Sequence, residues 1–284
     1  YMVMNLVKQH VTVALSGDGG DELFGGYNRY QHVPNLWRWL SRLPGPARGL
    51  AAALLTALPA DLVNRFSGLL GVAQLGDKAH KLGRRLQHIN DIDDFYISLL
   101  SEWSMVQGLV PGAVYPPTLL DNRADWPRMD NPAERMMALD GLTYLPDDIL
   151  VKVDRAAMAV SLETRAPFLD SNVVEFAWQL PLDMKLRDGQ SKYLLRQLLQ
   201  RHLPPELFER PKMGFSIPLD QWLRGPLRDW AEGLLNEGRI KSEGYLNPAP
   251  VRQAWASHLS GKYNHGHRLW AVLMFQIWHA ETRG

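Results

Sequence analysis

The sequence contains no cysteine. Without a thiol, the chain can form neither a disulfide framework nor a thiolate metal site, and it cannot use a cysteine nucleophile. Long hydrophobic runs are lacking as well. The longest, around residues 49–58, is too short to cross a bilayer and is followed by Pro59. The composition therefore indicates neither a disulfide-stabilised scaffold nor a membrane-spanning protein.

An excess of either charge is also lacking. Lys and Arg number 31 and Asp and Glu number 30, so the formal net charge is only +1. No overall field then favours nucleic acid or an anionic membrane as a partner. Apolar residues make up 46% and charged residues 21%, which is typical of a globular protein. A chain of 284 residues can bury one large core or form two domains.

The most informative stretch of the chain is residues 11–30. Residues 11–15 are apolar and rich in β-branched side chains, which predicts a strand buried on both faces, as in a parallel sheet. Residues 16–20 contain three glycines, so the backbone can turn sharply and approach a ligand closely. A helix is predicted from Asp21 to about Tyr30, because two acidic residues suit its first turn.

This order of elements indicates a phosphate site. A glycine-rich turn between a strand and a helix gathers free N–H groups that can bind an anion. The carboxylates of Asp18, Asp21 and Glu22 would repel a phosphate unless a divalent cation lay between them, so Mg²⁺ is expected together with a nucleotide. The pattern is neither a Walker A loop nor a dinucleotide fingerprint. A Ca²⁺ loop, or a tight turn before a capped helix, remains an alternative.

A second polar pattern lies in residues 145–160, which are predicted to be helical with proline at the first position. Helical spacing places two faces on this segment. The polar face carries Asp148, Lys152 and Arg155, and the apolar face carries Ile149, Val153, Ala156 and Val160. The ordinary interpretation of the polar face is a solvated surface with one ion pair. Further along, Glu163 and Arg165 are expected to brace each other.

Most of the remaining chain shows helical spacing of apolar residues, which is typical of core packing. Helices are predicted, among others, over residues 61–70, 222–236, 248–259 and 264–282, and the last should be buried. Residues 110–130 contain four prolines and should be irregular. Only one strand is predicted, and a parallel sheet needs more than one. Its neighbours are therefore expected before Tyr1, in a longer polypeptide.

The string Ser-Gly-Asp-Gly-Gly-Asp-Glu-Leu-Phe-Gly-Gly-Tyr, residues 16–27, resembles one family. It is similar to the synthetase domain of glutamine-hydrolysing asparagine synthetases, within the ATP-pyrophosphatase group. Residues 144–170 and 203–218 resemble the same family in the same order. The resemblance implies an α/β, adenine nucleotide alpha hydrolase-like fold that is mostly helical here because most of the sheet is missing. Residues 1–30 would end the nucleotide-binding sheet, and residues 31–284 would form a helical body with substrate-facing loops.

The resemblance also implies a reaction and a cellular location. A cytoplasmic carbon–nitrogen ligase would use ATP and Mg²⁺ to convert aspartate and ammonia into asparagine, AMP and pyrophosphate through β-aspartyl-AMP. The ammonia would come from glutamine, in a glutaminase domain that these residues do not include. The family's Ser-Gly-Gly-x-Asp-Ser pyrophosphate loop is not in the sequence either. The 284 residues alone are therefore expected to be inactive or nearly so.

The resemblance assigns roles residue by residue. Ser16 and Gly17 match the family's nucleotide contacts, and Asp21 matches its Mg²⁺ ligand. Lys212 matches the lysine that contacts pyrophosphate. Asp18 lies where many members have a glutamate tied to formation of the acyl-adenylate, so the shorter side chain leaves the detail of that role open. Three further side chains are candidates for facing substrate or phosphate: Glu22, Lys152 and Arg155.

Three other functions remain open at the level of sequence. A sibling of the same group, such as a β-lactam synthetase or a peptide-cyclising ligase, would adenylate a different carboxylate. A non-catalytic interaction domain would retain only the fold. A Ca²⁺-binding structural protein would hold the metal in residues 18–22 without a nucleotide.

Overall fold

The computed structural model describes residues 1–57, 63, 75–86, 89–103, 106–114, 116–209, 217–261 and 263–283. These residues are mostly helical, with four short strands. The chain divides into two compact units. Unit 1 comprises Tyr1–Ser41 and Pro117–Pro211, and unit 2 comprises Arg42–Pro116 and Lys212–Gly284. Among the residues described, none of the helices has the length and hydropathy needed to cross a membrane.

Unit 1 contains a parallel strand pair. Strand β1 (Val13–Leu15) pairs with β2 (Glu163–Arg165), with Ala14 opposite Thr164. The expectation that the partners of β1 lie before Tyr1 was therefore incomplete, because one partner lies about 150 residues downstream. The expectation of a strand buried on both faces was wrong for this chain, since the side chain of Leu15 is 74% exposed. An antiparallel hairpin, β3 (Leu186–Arg187) and β4 (Gln190–Ser191), completes the strands.

Helices form the rest of unit 1. The α-helices are Met2–Lys8, Gly20–Phe24, Arg29–Leu40, Pro132–Leu142, Val151–Met158, Ser171–Gln179 and Tyr193–Gln200. A π-helix spans Leu145–Leu150, and short 3₁₀ turns span Leu119–Asp121, Arg123–Asp125, Pro167–Leu169, Leu182–Met184 and Pro205–Leu207. The prediction of an irregular segment over residues 110–130 is confirmed by its two short 3₁₀ turns.

The single helix predicted for residues 21–30 is two helices with a break between them. The first ends at Gly25, which has φ +70° and so takes the left-handed conformation that glycine tolerates. A Cβ atom at Gly25 would also lie 2.7 Å from Cδ2 of Leu186. Leu23 and Phe24 of this first helix are buried and pack near Ala177. The break thus lets the short helix reach the core of unit 1 before the chain turns.

Every regular element that the described residues of unit 2 form is a helix. Its helices are Gly45–Ala57, Leu75–Leu86, Ile92–Leu100, Val106–Leu109, Leu219–Arg224, Arg228–Leu234, Glu237–Glu243, Pro248–Leu259 and Gly266–Arg283. Its core is built around Trp255, Leu269 and Leu273. The helix predicted over residues 222–236 is instead broken at Gly225. The last helix buries part of its surface as predicted, although its Trp278 is 59% exposed. Apart from residue 63, the helix predicted over residues 61–70 lies outside the described residues.

A close helix–helix contact in unit 2 depends on one glycine. The helices Gly45–Ala57 and Leu75–Leu86 pack against each other at Gly83. A Cβ atom at Gly83 would lie 2.9 Å from the carbonyl oxygen of Ala52 and 2.9 Å from Cγ2 of Thr56. A real side chain there would force the two helices apart, because a backbone oxygen cannot rotate away.

We expect Gly83→Ala to lower the free energy of unfolding by about 1–3 kcal/mol, although alanine favours helix by up to about 1 kcal/mol. Gly49→Ala is the matched control, because Gly49 lies in the partner helix and a Cβ atom there would meet nothing within 4 Å. The control should stabilise the protein by about 0.5–1 kcal/mol. Urea denaturation measures both values, and stabilisation by Gly83→Ala would contradict the packing.

Unit 2 also buries a neutral histidine. The backbone N–H of His265 donates to Nδ1 of His258 over 3.2 Å, and His258 is fully buried. Burial, with the nearby Arg224 guanidinium, lowers the pKa of His258 from 6.5 to about 4. The imidazole of His258 therefore binds a proton more readily in the unfolded chain than in the folded one. The free energy of unfolding should fall as the pH drops from about 6.5 to 4.

We expect the loss between these pH values to reach about 3 kcal/mol, from a shift of roughly 2.5 units at 1.36 kcal/mol each. The measurement is urea denaturation at pH 7, 5.5 and 4.5 for the parent and for His258→Gln. The variant cannot titrate at this position, so its stability should depend less steeply on pH. Equal slopes would show that His258 titrates normally.

Candidate functional site

The glycine-rich loop follows directly from the parallel strand pair. The N–H of Ser16 donates to the carbonyl oxygen of Arg165 over 2.8 Å, which extends the pairing of β1 and β2 by one residue. The N–H of Gly20 then donates to the carbonyl oxygen of Gly17 over 3.2 Å and closes a tight turn. Gly19 has φ +85°, and a Cβ atom there would overlap the side chain of Leu169. Only glycine suits this position, as the sequence analysis expected of the turn.

The outer side of this loop is open to solvent. Gly17 is exposed, and a Cβ atom on it would meet nothing within 4 Å. Ser16, Asp18 and Asp21 are partly exposed. Four of the residues assigned by resemblance therefore lie close together in sequence on an accessible surface, three in the loop and Asp21 in the first turn of the helix that follows. A ligand can approach the loop backbone at Gly17 with two carboxylates beside it.

Glu22 lies on the other side of the loop and is buried, only 1% exposed. The hydroxyl of Tyr27 donates to Oε1 of Glu22 over 2.8 Å. Burial raises the pKa of Glu22, and the carboxylates of Asp21 and Asp140 raise it further, while the bond from Tyr27 opposes the rise. This environment does not fit the expectation that Glu22 faces a phosphate. It fits a side chain that anchors the short helix to the interior.

Lys192 is a site neighbour that the sequence analysis missed. Its Nζ lies 3.0 Å from Oδ1 of Asp21, and the side chains of Lys192 and Asp21 are 28% and 35% exposed. Lys192 has φ +55°, directly after the β3–β4 hairpin. Gly26 gives this pair room, because a Cβ atom at Gly26 would overlap the Asp21 carboxylate and the end of Lys192.

One signal in the sequence could have located this lysine. Asp188 and Gly189 both have positive φ, 50° and 79°, and form the turn of the β3–β4 hairpin. An Asp-Gly pair between short extended segments is a strong hairpin signal. The hairpin brings the residue that follows it, Lys192, back towards the glycine-rich loop. The ion pair between Lys192 and Asp21 depends on tertiary contacts, so no local sequence pattern predicts it.

The polar face predicted for residues 145–160 is present and exposed. Asp148, Lys152 and Arg155 are all exposed, and Nζ of Lys152 lies 3.5 Å from Oδ2 of Asp148. The first part of the segment is the π-helix Leu145–Leu150, a rare form that is frequent at functional sites. Lys152 and Arg155 thus belong to unit 1 but to a different element from the glycine-rich loop.

Two further expectations have different outcomes. The predicted brace beyond this helix is confirmed, because Nε of Arg165 lies 2.7 Å from Oε1 of Glu163. Both residues belong to strand β2. Lys212 lies outside the described residues, and its proposed contact with phosphate stays a prediction.

An arginine–aspartate pair lies behind the glycine-rich loop. Asp140 is completely buried, and its Oδ2 accepts hydrogen bonds from Nε of Arg29 over 2.8 Å and from the hydroxyl of Tyr30 over 2.6 Å. The guanidinium carbon of Arg29 lies 4.3 Å from the ring centroid of Tyr27 and 5.0 Å from that of Tyr144. Burial, followed by the charge of Asp140, raises the pKa of Tyr30. Sequence analysis identified none of these contacts.

The donors present fit a Mg²⁺ ion that is shared with a nucleotide. Among the described residues, no group of three or more His, Cys, Asp or Glu side chains could hold a metal ion by itself. Asp18 and Asp21 nevertheless offer carboxylate oxygens on one accessible loop. Mg²⁺ is usually held by one or two carboxylates together with substrate phosphates and water. Two carboxylates without a complete protein cage suit that mode of binding.

Comparison with known proteins identifies the family to which the chain is similar. The family model for asparagine synthase matches residues 1–280. The chain is 30% identical over 283 residues to glutamine-hydrolysing asparagine synthetase 1 of Bacillus subtilis, covering 99% of the chain and 42% of that protein. It is 34% identical over 286 residues to a putative glutamine-hydrolysing asparagine synthetase of Mycobacterium tuberculosis, covering 99% of the chain and 41% of that protein.

More distant similarity extends to proteins with other names. The chain is 26% identical over 266 residues to amidase chyE of Penicillium rubens, covering 87% of the chain and 38% of that protein. No solved structure matches the chain. The chain spans less than half the length of the synthetases it matches. The family model nevertheless covers nearly all of it, so the chain belongs to the asparagine synthase family.

Proposed function

We propose that this chain carries the synthetase step of an ATP-dependent amide ligase that forms asparagine. The observation that carries the proposal is the accessibility of Ser16, Gly17, Asp18 and Asp21 in a chain matched along residues 1–280 by the asparagine synthase family. The β-carboxylate of aspartate would attack the α-phosphorus of ATP and release pyrophosphate. Ammonia would then attack the acyl carbon of β-aspartyl-AMP and release AMP.

The loop residues would bind and orient the nucleotide. A Cβ atom at Gly17 would meet nothing within 4 Å, so a phosphate or ribose could approach this backbone, and Ser16 beside it would contact the same ligand. Asp18 would act beside the acyl-adenylate as it forms. Lys212 and, on the exposed helical face, Lys152 and Arg155 would bring positive charge to the phosphates or to the substrate carboxylate. Preorganised cations of this kind stabilise the charge that develops during phosphoryl-group displacement.

Asp21, with Asp18 beside it, would hold Mg²⁺. The ion, when bound, would neutralise charge on the polyphosphate and so make pyrophosphate a better leaving group. Lys192 already lies 3.0 Å from Asp21 and supplies a second positive charge at the same place. Glu22 is assigned here to anchoring the helix, because its carboxylate is buried against Tyr27.

The nitrogen donor and the location belong to the same proposal. The relatives that align over 99% of the chain are named glutamine-hydrolysing synthetases, which supports ammonia derived from glutamine by a separate glutaminase domain. A cytoplasmic location follows from the resemblance to that family. Neither nucleic acid nor a membrane enters the proposed reaction.

The decisive experiment is aspartate-dependent exchange between ATP and labelled pyrophosphate in the full-length protein. Exchange with aspartate, absent without it, supports the proposal. The similarity to a fungal protein named amidase makes other carboxylic acids worth including, and exchange with one of them alone would favour a sibling ligase. No exchange with any acid would favour an interaction domain. Calorimetry with Ca²⁺ and with Mg-ATP then identifies a purely metal-binding role.

We expect Asp21→Asn to lower this exchange at least about 100-fold, because an amide cannot offset the charge of a metal–polyphosphate complex. Glu237→Gln in unit 2 is the control, since it removes one charge from an exposed helical pair with Lys241 and should leave exchange unchanged. Near-normal pyrophosphate release by Asp21→Asn would show that the metal assignment is wrong.

We expect Lys212→Ala to lower adenylation by about 1–3 kcal/mol of transition-state stabilisation, since a charge-assisted hydrogen bond to phosphate is lost. Thermal stability should barely change. Lys241→Ala is the control for removal of a lysine that only pairs on the surface. Steady-state kinetics with Mg-ATP measures both variants. Unchanged kinetics for Lys212→Ala would remove this lysine from the site.

A further inference from the structure

We propose that Arg29 is a positioning residue that holds the glycine-rich loop and the π-helix Leu145–Leu150 in one fixed arrangement. The inference rests on the proposed function for its catalytic meaning, because these two segments carry Asp18, Asp21 and Asp148. Arg29 itself would touch neither substrate nor metal. It would act through Asp140 and through the rings on either side of its guanidinium group.

The first contact of Arg29 is with a buried charge. Its Nε and Nη2 both lie 2.8 Å from Oδ2 of Asp140, a carboxylate with no solvent exposure. Arg29 is the first residue of the helix Arg29–Leu40, whereas Asp140 lies near the end of the helix Pro132–Leu142. The pair therefore joins the chain that leaves the loop to the chain that enters the π-helix. A buried carboxylate strongly favours keeping this cation in place.

The second contact is with Tyr27, which follows the short helix Gly20–Phe24 after the loop. The guanidinium carbon lies 4.3 Å from the ring centroid of Tyr27, and the hydroxyl of Tyr27 donates to the buried Glu22 over 2.8 Å. Glu22 is next in sequence to Asp21. Arg29 therefore supports the proposed metal ligand indirectly. It contacts the ring of Tyr27, and Tyr27 holds Glu22, the neighbour of that ligand, by one hydrogen bond.

The third contact is with the π-helix. The guanidinium carbon lies 5.0 Å from the ring centroid of Tyr144, which directly precedes Leu145–Leu150. The rings of Tyr27 and Tyr144 also meet edge to face, 5.8 Å apart at 72°. Burial, followed by the charge of the nearby Asp148, raises the pKa of Tyr144, so this ring lies close to the exposed polar face. A planar guanidinium can bond Asp140 and stack on both rings at once, which lysine cannot.

Arg29→Lys tests this inference, and Arg252→Lys is the matched control. Arg252 also forms a partly buried ion pair, with its Nη1 2.7 Å from Oε1 of Glu232, but it belongs to unit 2. Asp140→Asn is a milder second variant, because the amide oxygen can still accept hydrogen bonds. All three are made in the full-length protein, and hydrogen exchange is recorded without ligand.

We expect Arg29→Lys to raise amide exchange about 10-fold or more in both residues 16–26 and residues 145–150, as these segments lose a common support. Asp140→Asn should raise it less in the same two segments, and Arg252→Lys in neither. In the kinetic assay, Arg29→Lys should lower kcat about 10- to 100-fold while KM for aspartate and ATP changes less than about 3-fold.

Each other outcome overturns the inference. Unchanged exchange in either segment for both Arg29→Lys and Asp140→Asn would show that Arg29 does not couple them. A KM for aspartate raised more than about 10-fold with kcat retained would make Arg29 a substrate contact. Hydrogen exchange needs no turnover. If the parent protein lacks aspartate-dependent activity, the proposed function fails while the coupling by Arg29 is still decided.

Discussion

The parallel pairing of β1 with β2 is the constraint on which the candidate site depends. Because both strands run in the same direction, their carboxyl ends lie at one edge, and the loops that follow them must pack together. The bond from Ser16 to the carbonyl oxygen of Arg165 fixes the start of the glycine-rich loop at that edge. Leu169, from the segment after β2, fills the space beside Gly19. The loop is therefore shaped by residues about 150 positions away.

A buried charge imposes the second constraint. Asp140 is fully buried, so its carboxylate requires the guanidinium of Arg29 and the hydroxyl of Tyr30. Removing one partner of a fully buried pair costs about 3–5 kcal/mol, and the partial exposure of Arg29 makes that an upper value. This network leaves Asp18 and Asp21 accessible in front of it while Glu22 points back into the interior. Rigid support behind accessible carboxylates suits chemistry that depends on position.

Local signals predicted several elements well. The predicted helix over residues 248–259 is observed as Pro248–Leu259, where Asn247 caps the first turn. The exposed polar face of Asp148, Lys152 and Arg155 also agrees with its helical spacing. Predictions failed where the outcome depended on distant residues. The strand β2 has only three residues, too few for an alternating pattern, and the breaks after residues 24 and 224 depend on glycine conformations that helical periodicity does not reveal.

The sequence by itself determined the chemical content of the site: the glycines of the turn, the carboxylates of Asp18, Asp21 and Glu22, and the resemblance to asparagine synthetases. Only the tertiary structure decided which of these carboxylates are exposed and which is buried. Adjacent residues on a helix point about 100° apart, so one of two neighbouring acids can face solvent while the other faces the core. Asp21 meets Lys192 at the surface and Glu22 meets Tyr27 inside, because packing against distant segments selects which direction is buried.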